Sequence, residues 1–74
     1  MSPELPDTEW RTMRMTVEGA EELALNGQVS EARACLVAGI ARAQVLCEGG
    51  ANWGELLLQH YQEALESLDR RFTG

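Results

Sequence analysis

His60 is the one histidine of this chain, and Cys35 and Cys47 are its only thiols. These three side chains are the ones able to ligate a soft metal, move a proton near neutral pH or attack an electrophile. His60 falls on the edge of a helical apolar face, one turn from Leu57 and Ala64 and two from Trp53. With no second polar group beside it, it reads as a packing residue rather than a base or a ligand. Cys35 and Cys47 share one expected helix, about 18 Å apart at roughly 1.5 Å per residue, too far to bond to each other. Their spacing matches no metal site, so both read as small buried apolar side chains, with an intermolecular bridge or a redox thiol as the alternative. The carboxylates Glu21, Glu22, Glu63 and Glu66 map to solvated faces, with no pair set in an apolar cleft. There is no Ser–His–Asp constellation, no HExxH and no glycine-rich phosphate loop. Gly49-Gly50 precedes Asn52-Trp53-Gly54 without a lysine or threonine to hold phosphate, and reads as a hinge. The expectation is therefore a protein that is not an enzyme, with no catalytic residue, no cofactor and no metal.

The composition narrows the partners. Twelve carboxylates stand against six arginines in 74 residues, for a net charge of −6. Lysine is absent. An acidic surface of this kind argues against nucleic acid and against anionic membranes, which require clustered positive charge. The opening residues MSPELPDTEW have no basic region followed by an apolar run, and no apolar stretch reaches the ~18 residues of a membrane span. A cytoplasmic protein is expected. The apolar fraction of 45% is ordinary for a globular chain. Trp10, Trp53, Tyr61 and Phe72 are its only aromatic residues, so the core must rest on Leu, Val, Ile, Met and Ala. That is a helical recipe.

Residues 1–6, with Pro3 and Pro6, read as a flexible leader, and residues 7–74 as a single helical domain. The first helix is predicted at about residues 8–26, capped by Asp7 or Thr8. Trp10, Met13, Val17, Ala20, Leu23 and Ala24 share one of its faces, with Arg14 and Glu18 paired on the other. Gly19 sits mid-helix, where a close helix approach would explain it. Asn26-Gly27 ends the helix. A second helix follows over about 30–48, capped by Ser30, with Val29 as a staple. A third spans about 53–72, with Asn52 and Glu55 as a capping box. On it Trp53, Leu57, His60, Tyr61, Ala64, Leu65, Leu68 and Phe72 form one broad face. The short connections favour antiparallel neighbours and an all-α three-helix bundle.

The central helix is apolar on two sides. Ala32, Cys35, Leu36, Gly39, Ala43, Leu46 and Cys47, with Ile40 at one edge, form the stripe assigned to the intramolecular core. Opposite lies a second stripe, Ala34, Val37, Ala38, Ala41 and Val45, with the spacing of a packed helical seam. Either the third helix covers it or another chain does, most simply the same stripe in a two-fold dimer. The aromatic residues admit two readings as well. Trp10 and Trp53 close the ends of the core, or Trp53, Tyr61 and Phe72 anchor a partner.

The segment AEELALNGQVSEARACLVAGIARA, from Ala20 to Ala43, resembles a tetratricopeptide repeat. Gly27 matches the turn of the family's helical hairpin, Glu31-Ala32 its Glu-Ala pair, and Ala20, Leu23, Leu36 and Gly39 its alternating small and large positions. Thr16, Gly19 and Gln44 depart from the tryptophan, leucine and proline usual there. One repeat is covered, Thr12 to Val45, with the third helix in the place of a capping helix. The three-helix microtubule-interacting and trafficking domain is similar in outline. The resemblance implies protein or peptide binding by packed helices, with no contact residue to carry over. The chain is thus expected to act by protein–protein contact, self-associating as a homodimer or joining another protein through the central helix. The alternative is a small acidic regulator or chaperone that caps one specific partner.

Overall fold

Apolar residues recurring every three or four positions become three helices in the computed structural model, which describes residues 4–72. They are α1 (Asp7–Leu25), α2 (Val29–Glu48) and α3 (Gly54–Phe72), and no strand occurs among the described residues. The all-α three-helix bundle expected from the pattern is what forms, with each helix boundary within a residue of its expected place. The first three residues of the expected leader lie outside the described residues, while Leu5 packs against the core.

The stops are set by glycine. Gly27 (φ 86°) and Gly50 (φ 90°) take the left-handed conformation that closes α1 and α2. After α1, the Gln28 N–H donates to the Leu23 carbonyl (2.8 Å) and the Gly27 N–H to that of Ala24 (3.0 Å). Gly50 and Ala51 repeat this pattern on Cys47 and Leu46. The starts differ from expectation. Pro6, Gln28 and Trp53 occupy the positions just before the helices, and their carbonyls accept from Trp10, Ala32 and Leu57. Asp7 and Ser30 are thus already inside their first turns, and α1 and α2 carry no side-chain cap. Asn52 lies within the tight turn that joins Ala51 to Gly54.

Both α1 and α3 pack on the same side of α2, and they also touch each other. The buried hydrophobic residues are Met13, Ala20 and Ala24 from α1, Ala32, Leu36 and Ala43 from α2, and Leu57, Tyr61 and Leu68 from α3. Gly39 explains how α3 comes so near: a methyl group there would lie 2.6 Å from Cε1 of the Tyr61 ring. Gly54 meets the last turn of α2 as closely, since its methyl would sit 3.0 Å from the Cys47 backbone nitrogen. Gly19, by contrast, has open space beside it, so a close helix approach is not its reason.

Arginines stitch the exterior. Arg42 of α2 forks onto Glu9 of α1 at 2.6 and 2.7 Å, Arg33 reaches Asp69 of α3 at 2.7 Å, and Arg71 of α3 reaches Glu21 of α1 at 3.4 Å. The expected Arg14–Glu18 pair is present within α1 at 3.2 Å. Hydrogen bonds from Arg42 hold the Glu9 carboxyl below the usual carboxylate range. A carboxyl whose pKa falls on folding stabilises the native state above its unfolded pKa, and that contribution is lost as pH drops through the folded value. Glu9→Gln should cost roughly 0.5–1 kcal/mol at pH 7, kept small by solvent screening at the half-exposed Arg42. Urea titrations of parent and variant should converge as pH falls through the acidic carboxylate range. A gap that widens on acidification would contradict this account of the pair.

Candidate interaction surface

The outer face of α2 is built by the helix period itself. Ala32, Leu36 and Ala43 are buried, and the residues half a turn away from them must face outward. Ala34, Val37, Ala38, Ala41 and Val45 are all exposed, Val37 by 47% and Val45 by 66%. Neither α1 nor α3 covers them. Of the two covers expected for this stripe, α3 is therefore the one that the fold does not supply. The reason lies in Gly39 and Tyr61: that close approach seats α3 on the same side of α2 as α1. The second apolar face is left uncovered by the other described residues.

The face has a polar rim. Arg33 and Gln44 border one edge, and Glu31 and Arg42 the other, all of them exposed. Two of the four rim residues, Arg33 and Arg42, are held down by the ion pairs to α3 and α1. An apolar strip bounded by tethered charges is how interaction surfaces on small proteins are commonly laid out. The rim arginines escaped the sequence reading, although neither has an acid on the facing turns of its own helix that would occupy it.

The aromatic candidates separate. Tyr61 is 2% exposed under Gly39, so it belongs to the core and not to a partner site. Trp53 and Phe72 are half-buried against the core, and Phe72 lies 5.3 Å from the Arg71 guanidinium. Trp10 is 42% exposed and meets His60 edge-on, ring centres 5.4 Å apart. That contact joins α1 to α3 and gives the lone histidine a packing partner.

The cysteines also separate. Cys47 is half-buried against Gly54, whereas Cys35 is exposed, contrary to the burial expected of both. Cys35 sits on the shoulder of α2, where the wheel turns from core to solvent, and borders an open groove with Met15, Gly19 and Leu23 of α1. Among the described residues no group of three His, Cys, Asp or Glu side chains converges as a metal site. No helix there is long and apolar enough to cross a membrane. A notch of about 100 Å³ lies between α1 and α3 over Leu36, lined chiefly by Val17, Ala20, Ala64 and Leu68. Glu21, Ser67 and Arg71 complete its walls, with Glu21 and Arg71 paired to each other at 3.4 Å. No family model, no curated protein and no solved structure matches this chain.

Proposed function

We propose that this protein is a non-catalytic interaction module that packs a further helix against the outer face of α2, most simply that of a second copy of itself. The observation that carries the reading is the exposure of Ala34, Val37, Ala38, Ala41 and Val45 on a helix whose opposite face already holds both neighbours. A tetratricopeptide-like hairpin of α1 and α2, with α3 in the capping place, fits the same use of packed helices. A 74-residue core is small, and association is a usual way to extend such a core.

Light scattering on the purified protein tests it. A concentration-dependent dimer is expected at high micromolar protein, and Ala38→Glu should abolish it while circular dichroism shows an intact fold. A strict monomer, or a dimer indifferent to Ala38→Glu, would overturn the reading. A second reading, an acidic regulator capping a basic partner, has its own support. Glu22, Glu55, Glu63 and Glu66 are exposed and have no ion pair among the described residues. Binding to such a partner would weaken steeply with salt, whereas apolar self-association would not.

A further inference from the structure

We infer that the notch between α1 and α3 binds a free α-amino acid with a small branched aliphatic side chain. The site lies on the inner side of α2, away from the outer face proposed for association, so either can fail without the other. Helices α1 and α3 meet each other less extensively than either meets α2, and the seam between them stays open over Leu36. Ala20 and Ala64 line it with side chains too small to close it. The hollow that remains is about 100 Å³, with the buried Leu36 and Leu68 among its walls. A cavity of about 150 Å³ takes a benzene ring, so the smaller one suits an aliphatic side chain of about three or four carbons.

Its polar groups fix the rest of the ligand. Glu21 of α1 and Arg71 of α3 face each other at 3.4 Å, the longest of the three cross-helix ion pairs among the described residues. Both are half exposed, which sets them at the rim, and a pair so long and so exposed opens at little cost. The Phe72 ring, 5.3 Å from the Arg71 guanidinium, helps to hold it in place. Ser67 adds a half-buried hydroxyl with no hydrogen-bond partner among the described residues. An α-amino acid carries its ammonium and carboxylate on the carbon that bears the side chain, so the two charges stand close together. With the side chain over Leu36, the ammonium would meet Glu21, and the carboxylate would meet Arg71 and the Ser67 hydroxyl. A simple carboxylic acid would face the like charge of Glu21, and a simple amine that of Arg71. Only a ligand with both charges satisfies both sides of the rim.

Titration of the isotope-labelled full chain with L-leucine, followed by amide chemical shifts, tests the site. Saturable shifts around Val17, Ala20, Leu36 and Ala64 are expected, with a Kd of about 1 mM for so small a ligand. Leucinamide, which lacks the carboxylate, and 4-methylpentanoate, which lacks the ammonium, should each bind about tenfold more weakly. Arg71→Gln should weaken leucine by a similar factor and leave leucinamide unchanged. Glu21→Gln should weaken leucine and not 4-methylpentanoate. Both variants alter half-exposed side chains, and circular dichroism should show an intact fold. No saturable shift at several times the expected Kd would overturn the site. Either analogue binding as well as leucine would overturn the assignment of an amino acid to it.

Discussion

Truncating Leu36 to alanine should lower the unfolding free energy by about 2–5 kcal/mol, the range for emptying a fully buried leucine site. Leu36 is 1% exposed and lies where all three helices meet, beside Val17 and Ala20 of α1 and Ala64 and Leu68 of α3. The notch already present there would enlarge, because alanines on the facing helices cannot reach across to fill it. A domain of this size holds only several kcal/mol in reserve. The variant should therefore be largely unfolded at physiological temperature by far-ultraviolet circular dichroism. Val45→Ala removes more exposed carbon than buried and should shift stability by less than about 0.5 kcal/mol. Equal effects from the two substitutions would mean that the core is not where Leu36 lies.

The second large effect belongs to Gly39→Val. Even one methyl group at this position would sit 2.6–2.8 Å from three atoms of the Tyr61 ring. The ring cannot swing away, since it is itself 2% exposed and bounded by the core. Overpacking of this kind costs about 1–3 kcal/mol for each modest enlargement, and valine adds three carbons to a space that does not hold one. The loss should reach about 3 kcal/mol or more and should first separate α3 from α2. Gly19→Ala is the contrasting case. There the added methyl meets open space, so the gain in helix propensity, about 0.5–1 kcal/mol, should appear undiminished. Thermal melts of both variants test the contrast, and a Gly19→Ala that destabilises would show that something unrecognised rests on that residue.

Much of the architecture could be read from spacing alone. The helix period alone places Met13, Ala20 and Ala24 inward on α1 and Leu57, Tyr61 and Leu68 inward on α3, where the fold buries them. Gly27 signalled its turn because few other residues adopt its conformation. What spacing does not carry is the angle at which a third helix settles. A wheel shows that α2 has two apolar faces, but the depth of Gly39 against a ring twenty-two residues later decides which of them is used. Cys35 was misplaced for a related reason. Its direction lies at the shoulder of the core stripe, and burial there depends on how widely α1 spreads, a property of both helices together. Asp7 and Ser30 do not cap their helices because each chain segment turns helical a residue or two before the position their side chains favour. The exposure of Val37 and Val45 is open in the sequence because it is defined by what the other helices leave uncovered.

Ala20, Ala24, Ala32 and Ala43 make up four of the nine buried core residues. Their small side chains bring the helix backbones close, yet each removes little hydrocarbon from water. Unfolding should thus release a modest heat-capacity increment, at or below about 12 cal/mol/K per residue, and a correspondingly shallow denaturant slope. A chain with so flat a stability curve melts over a broad interval rather than at a sharp point. Under the proposed self-association, the melting midpoint should climb with protein concentration.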